Sequence, residues 1–367
     1  MGQEHKSRLR REVIRLLEAG VAGQAFPGAS ACIAWREGED VVFVTAAAGR
    51  VAPGGAAVEE TTPYDLASLT KPFVATAALR LVEARRLSLD ARADSLVSDV
   101  RGGPGGSATL EALLSHRSGL AAWGGLYLDV PHDPGSAAAR RWILSEAARR
   151  KDEDGGAVVY SDLGYIIAGE MVARAVGSPL DQVVRGWVTE PLGIDHEVCY
   201  AGALSKDASL RLARTAAPTE RCEWRGRVVR GSVHDENCAA LGGVAGHAGM
   251  FGTAHGVAVF GRAMLDVLAG RSDFLSKETL AAALADRGDG DTHRLGWDAK
   301  AGEDSSAGRR MSERSFGHLG FTGTSIWCDP ERDIVVVLLT NRVHPSRANE
   351  KIRGFRPAFH DGVLAAL

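Results

Sequence analysis

Over positions 7 to 19 the apolar residues Leu9, Val13, Ile14, Leu16 and Leu17 recur at helical spacing among charged neighbours, which predicts an amphipathic opening helix. Two short runs rich in β-forming residues follow, Ala31 to Trp35 and Val41 to Thr45, and the polar stretch Arg36 to Asp40 between them marks a β-hairpin. Residues 69 to 86 are apolar nearly all round. Val74, Ala77, Ala78, Leu81 and Val82 make one stripe, while Phe73, Ala75 and Leu79 cover much of the rest. A helix of that kind is buried. Pro72 belongs in its first turn, where the missing N–H matters least, so Ser68 and Lys71 sit at or in the amino end.

From about residue 86 to 200 the pattern is helical, interrupted by loops at 101–106 and 131–135, and residues 200–250 are richer in glycine and turns. A further helix is expected over 254–269. Strand patterns then return at 315–320, 323–328 and 334–340, with a turn at Asp329 to Arg332, and a closing helix spans 348–366. Ile334 to Thr340 is a continuous apolar run, as in a central strand covered on both faces. Strands at both ends with helices between imply an α+β fold, in which a sheet built from both chain ends is flanked by helices and carries a mostly helical lobe. The expected division assigns 1–66 and 250–367 to the sheet lobe and 67–249 to the helical lobe, with a ligand cleft between them.

At 367 residues and 45% hydrophobic content the chain can bury a large core. A net charge of −3 provides no basic face for phosphates, which argues against a nucleic-acid partner. No stretch approaches the roughly twenty uninterrupted apolar residues of a membrane span. The N-terminus is charged throughout and lacks the apolar segment and cleavage site of a signal peptide, so the expected location is cytoplasmic. Cys32, Cys199, Cys222, Cys238 and Cys328 are odd in number and scattered, which suits reduced thiols without a chemical role.

The chain has thirty-six arginines and seven lysines, yet it sets a lysine three residues after a serine at the mouth of its most apolar helix. A serine hydroxyl needs a partner to take its proton as it attacks. A lysine at i+3 lies on the same helix face and can reach it. To act as base the amine must be neutral, and desolvation lowers its pKa toward that state, whereas arginine stays charged. The helix amino end also favours an alkoxide and the oxyanion formed after attack. This is the only Ser-x-x-Lys spacing in the chain. Spacing alone also fits Ser68 as a helix cap and Lys71 as a surface residue.

Ser68-Leu-Thr-Lys71 followed by a buried helix resembles the first motif of serine β-lactamases and penicillin-binding proteins, in the branch holding class C-like enzymes and their esterase relatives. Tyr160-Ser-Asp162 is similar to the second motif, Tyr-x-Asn, with aspartate in place of asparagine. Residues 316–324, containing His318 and Gly320, fit the place of the third, Lys-Thr-Gly or His/Trp-x-Gly. The stretches Leu113 to Leu120, Val233 to Asn237 and Gly242 to Gly249 also look like this family, and the likeness runs from about residue 25 to about 345. It implies Ser68 as nucleophile, with Lys71 and Tyr160 handling its proton. It further implies backbone N–H groups of Ser68 and Phe321 as oxyanion hole, and Asp162, His318 and Gly320 lining the substrate site. Taken alone, Tyr160 could equally be a packed aromatic beside a helix cap.

The resemblance implies no metal and no cofactor. Spacings such as HExxH are absent, so His234, Asp235, Glu236 and His247 are expected to be structural or to line the cleft. Ser115 and Ser118 lie outside any Gly-x-Ser-x-Gly elbow, which argues against an α/β-hydrolase. Two departures bear on substrate. His318 replaces a lysine, and a partly charged histidine predicts weak, pH-dependent affinity for anions. An ionised Asp162 cannot donate to a substrate carbonyl and would favour the charged form of Lys71. The expectation is an acyl-enzyme hydrolase for a small-molecule ester, amide or lactam, with esters or small amides preferred. A catalytically idle relative that binds a ligand or partner in the same cleft, a β-lactamase or D-amino acid peptidase, and acyl transfer to an alcohol stay open, as does the oligomeric state.

Overall fold

In the computed structural model, which describes residues 3–153, 155–156 and 158–367, the hairpin is longer and tighter than its sequence suggests. The first two residues of the charged N-terminus lie outside the described residues. Strands Gly28–Glu37 and Asp40–Gly49 pair from Gly28 with Gly49 to Glu37 with Asp40, leaving only Gly38 and Glu39 in the turn. Gly38, at φ +64°, supplies the left-handed conformation that a two-residue hairpin turn needs at its first position.

Among the described residues the main sheet has six antiparallel strands. Their order is Asp40–Gly49, Gly28–Glu37, Ile334–Thr340, Ser325–Asp329, Phe316–Leu319 and Asp298–Ala299. Both chain ends therefore build it, as the pattern of strands predicts. Ile334–Thr340 is central and buried throughout. Val335, Val337 and Leu339 join the apolar cluster on one face, while Ile334, Val336 and Leu338 join the cluster on the other. The period of two along a strand thus feeds two cores at once, which is why the run shows no polar positions.

The opening helix Gln3–Ala22 and the closing helix Ile352–Ala366 pack on the outer face and against each other. Helix Ala254–Leu268 crosses the inner face and packs against helix Thr70–Glu83, where Phe73 stacks on Phe260 with ring centroids 3.9 Å apart. Helix Thr70–Glu83 stops three residues short of its expected end because the chain turns at Arg85, whose φ is +56°. Beyond it lie the helices Ala137–Arg149 and Asp162–Val176, each with a serine side chain capping its amino end. Among the described residues no helix is long and apolar enough to cross a membrane.

Two features were not legible from local pattern. Residues 200–250 contain the ten-residue helix Lys206–Thr215, in which Leu212 is buried, too little to write a helical period. Met250–Gly252 pairs with Tyr64–Asp65 on one side and Val198–Tyr200 on the other. These strands of two or three residues are too short to alternate visibly, yet they anchor the chain just before Ser68.

Leu338 is fully buried on the outer sheet face. Leu338→Ala is expected to destabilise the protein by about 2–5 kcal/mol in urea unfolding; a loss below about 1 kcal/mol would mean that the outer helices do not cover this strand.

Candidate active site

The turn that carries Ser68 is held from behind. Ala67, a non-glycine residue, adopts φ +48°, a conformation that costs about 1–2 kcal/mol for an L-residue. The buried Asp65 fixes it, accepting the Ala67 N–H at 2.8 Å through one carboxylate oxygen and the His234 N–H at 2.6 Å through the other. A short 3₁₀ turn, Ala67–Leu69, then leads into helix Thr70–Glu83. Ser68 and Lys71 therefore stand one turn apart at the helix mouth.

Lys71 has no solvent exposure. Its Nζ donates to Ser68 Oγ at 2.9 Å, to the Tyr160 hydroxyl at 2.7 Å and to Asp162 Oδ1 at 2.6 Å. An ammonium has three hydrogens, and all three are engaged. Burial pulls the group toward the neutral amine, as the sequence leads one to expect. The charge of Asp162 and the oxygens of Asp162 and Tyr160 outweigh that pull, so the pKa lies above its ordinary value. The expected fall is thereby corrected: Lys71 rests as a cation paired with Asp162. Burial likewise holds the Tyr160 phenol protonated, against the opposing pull of the Lys71 charge.

Tyr160 and Asp162 are presented by a loop clamped on its inner side by His116. That residue sits at φ +61°; its carbonyl accepts the Val159 N–H and its Nδ1 the Ser161 N–H, both at 2.9 Å. Its ring lies 4.5 Å from the Tyr160 ring. Burial and the Lys71 charge keep His116 neutral, so its proton is on Nε2. Ser161 caps helix Asp162–Val176 through Oγ and donates to the Ala121 carbonyl at 2.6 Å.

The third segment comes from the sheet edge. His318 lies on strand Phe316–Leu319 and is 5% exposed. Its Nδ1–H donates to the Leu319 carbonyl at 2.9 Å, which leaves Nε2 as a bare acceptor. Burial first, then the Lys71 charge, push its pKa down to about 3. The partly charged histidine expected from the sequence is thus corrected to a neutral one. Gly320 has no room for a side chain, since a Cβ there would collide with Thr324 Oγ1 and the Leu66 carbonyl. Thr322 and Thr324 tie this turn to the carbonyls of Asp65 and Leu66, at 2.8 and 3.1 Å.

These segments surround a cleft of about 800 Å³, lined by Ser68, Tyr160, Asp162, His318, Gly320 and Phe321. Lys71 lies beneath them. All the site residues expected from sequence are therefore brought together. His234, Asp235, Glu236 and His247 also line the cleft. They are bound into a polar network, with His234 Nε2 on Glu220 at 2.9 Å and His247 Nε2 on Asp235 at 2.8 Å. Among the described residues no three His, Cys, Asp or Glu side chains gather as a metal site. The sequence assigns no role to Asp65, His116 or Arg356, although His116 lies in the stretch Leu113 to Leu120. Nothing local marks a histidine that will be left-handed.

A Ser-x-x-Lys turn heading a buried helix, beside an antiparallel sheet drawn from both chain ends, defines the serine hydrolases that share their fold with penicillin-binding proteins. The chain belongs to the Beta-lactamase family, which it matches over residues 13–356. It is 28% identical over 331 residues to a putative D-alanyl-D-alanine carboxypeptidase of Salmonella agona (strain SL483), covering 83% of this chain and 74% of that relative. Among solved structures it is similar to EstCE1, a hydrolase with promiscuous acyltransferase activity, with TM-score 0.75 and 20% identity over 98% of this chain and 99% of that one. It is also similar to a D-amino acid amidase from Ochrobactrum anthropi SV3, with TM-score 0.69 and 19% identity over 98% of both chains.

The neutral His318 makes stability depend on pH. An unfolded imidazole takes up its proton near 6.5 and the folded one near 3, so the unfolded state binds more protons between those values. His318 therefore lowers stability as pH falls through that window. His318→Gln should flatten the dependence when urea midpoints are compared on either side of pH 6.5; an unchanged slope would show that His318 is charged in the folded protein.

Proposed function

We propose that this protein takes an acyl group onto Ser68 Oγ and releases it to water, with small esters or amides as substrates. The observation that carries this reading is the threefold engagement of Lys71 Nζ by Ser68, Tyr160 and Asp162 at the floor of the cleft. We place the cleft between a sheet lobe, 1–66 with 250–367, and a helical lobe, 67–249.

Ser68 Oγ attacks the carbonyl carbon, and the carbonyl electron pair moves onto oxygen, facing the N–H groups of Ser68 and Phe321. The Ser68 proton needs a neutral amine. One ammonium hydrogen passing along the 2.6 Å contact from Lys71 to Asp162 provides it, turning an ion pair into a neutral amine and a neutral carboxyl without moving net charge. Tyr160 hands a proton to the departing alkoxide or amine as the tetrahedral intermediate collapses, and takes in its place the Ser68 proton held on Lys71 Nζ, 2.7 Å away, so that Lys71 is again a neutral amine for the next step. Water repeats the sequence on the acyl-enzyme and frees the acid.

Two features support esters and small amides over anionic peptides. At the third motif a neutral His318 offers no charge to a substrate carboxylate, leaving only the arginines at the cleft border to do so, and Asp162, ion-paired with Lys71, does not donate to an amide carbonyl. The hydrolase EstCE1 shares the fold, and its promiscuous acyltransferase activity supports an alcohol as a second acyl acceptor here. The Salmonella relative named a putative D-alanyl-D-alanine carboxypeptidase supports a second reading, cleavage of D-amino acid peptides or amides.

A tagged fluorophosphonate is expected to mark Ser68, and Ser68→Ala to lose both the label and all ester hydrolysis while its thermal unfolding is unchanged. An unlabelled wild-type protein would point to an idle ligand-binding relative. Short-chain nitrophenyl esters should be hydrolysed faster than a chromogenic cephalosporin or D-alanyl peptides; the reverse order would move the substrate class to lactams or peptides.

Asp162→Asn separates two roles for the carboxylate. If Asp162 receives the Lys71 proton, its loss leaves an amine that must deprotonate by itself. The acid limb of the kcat/KM profile then moves to higher pH and the rate at neutral pH falls. A limb that moves to lower pH would show that Asp162 only holds Lys71 charged.

A further inference from the structure

The turn after strand Phe316–Leu319 is braced from behind by two guanidinium groups. Arg356, on the closing helix, donates through Nη2 to the Gly320 carbonyl at 2.6 Å and to the Thr324 carbonyl at 2.8 Å. Arg342 donates through Nε to the Phe321 carbonyl at 2.8 Å. Each is only 7% exposed. Their hydrogen-bond acceptors are all backbone carbonyls, and among the described residues neither forms an ion pair with a carboxylate. Arg356 Nε is buried without any partner.

A buried guanidinium without a counter-charge is expensive, and bracing a turn does not require one. The position of the acceptor supplies a reason. The Gly320 carbonyl and the Phe321 N–H belong to one peptide group, whose resonance couples them. Gly320 O already accepts the Gly323 N–H at 3.0 Å, closing a turn in which Phe321 is the second residue. Among the described residues the Phe321 N–H has no protein acceptor, and Phe321 lines the cleft with Ser68. A cation on the carbonyl draws electron density from the nitrogen and makes the N–H a stronger donor on the opposite side. Arg342 adds a second positive charge behind the next peptide.

We propose that Arg356 is a positioning residue for the oxyanion hole, polarising the Gly320–Phe321 peptide so that its N–H binds a developing oxyanion more tightly than a ground-state carbonyl. This rests on the reading that Ser68 is the nucleophile. Arg356 borders the cleft, but both of its hydrogen bonds go to this turn, so the role proposed for it runs through that peptide. Burial, with the Arg342 charge behind it, pushes its pKa down to about 9, so the group remains charged at neutral pH. A lysine could reach one carbonyl as a point charge, whereas the planar fork spans both Gly320 and Thr324.

The test compares Arg356→Met and Arg356→Lys with the wild-type protein, first confirming that a fluorophosphonate labels wild-type Ser68. Each variant is assayed on a nitrophenyl ester and on its thionoester, in which sulfur replaces the carbonyl oxygen and accepts hydrogen bonds poorly. Arg356→Met is expected to lower kcat/KM for the oxygen ester by about 10- to 100-fold, and the thionoester rate far less, so that the oxo-to-thiono ratio collapses. The affinity of a phenylboronic acid, which forms a tetrahedral adduct on Ser68, should fall by a similar factor, and Arg356→Lys should recover part of both. A loss equal for both esters, or none, overturns the proposal, because a merely structural brace does not distinguish oxygen from sulfur. Should Arg356→Met fail to fold by circular dichroism, the ratio in Arg356→Lys decides: a value equal to wild type overturns the proposal and an intermediate value supports it. An unlabelled wild-type Ser68 overturns the nucleophile reading itself, and the proposal with it.

Discussion

A fully buried ammonium must find three acceptors, and this requirement organises the centre of the protein. Lys71 takes them from two distant segments: the turn that starts its own helix, and the segment that presents the hydroxyl of Tyr160 and the carboxylate of Asp162. Removing an ion from water is worth several kcal/mol of penalty, so each acceptor has to be held where the amine can use it. The left-handed Ala67 and His116, and the buried Asp65 behind Ser68, are the devices that hold them. Backbone strain here is spread around a charge that the rest of the fold keeps dry.

The surrounding electrostatics follow from that one charge. His116 and His318 lie close enough to Lys71 for burial and its field to hold both rings neutral, and each has a fixed tautomer because one ring nitrogen already has a backbone partner. The cleft thus offers an acceptor from His318, while its other positive charges come from Arg342, Arg347, Arg353 and Arg356, of which Arg342 and Arg356 bond the carbonyls of the peptide turn. Under the proposed mechanism such a site would tell a flat carbonyl from a tetrahedral oxyanion by the placing of its donors.

The fold makes this arrangement possible by tying distant segments together at short range. The small sheet of Tyr64–Asp65, Val198–Tyr200 and Met250–Gly252 fixes the approach to Ser68, and the hydroxyls of Thr322 and Thr324 lock the sheet edge to the same approach. The first and third motifs are some 250 residues apart in the chain, and hydrogen bonds of about 3 Å join them. The central strand Ile334–Thr340, buried throughout, gives that junction a rigid platform.

Features written in local periodicity could be read from the sequence alone. The hairpin, the buried helix after Ser68, the central strand Ile334–Thr340 and the α+β class follow from patterns of two and 3.6, the serine and lysine of the cleft from their spacing, and its tyrosine and histidine from the family resemblance. Tertiary structure decided what those residues are. Burial by itself would have neutralised Lys71, and only the arrival of Asp162 and Tyr160 from ninety residues away reverses the sign. In the same way His318 lost its charge, His116 became a clamp and Arg356 came to stand behind Gly320 because of neighbours that no window of sequence contains. Protonation states and hydrogen-bond partners are properties of assembled space, whereas periodicity is a property of the chain.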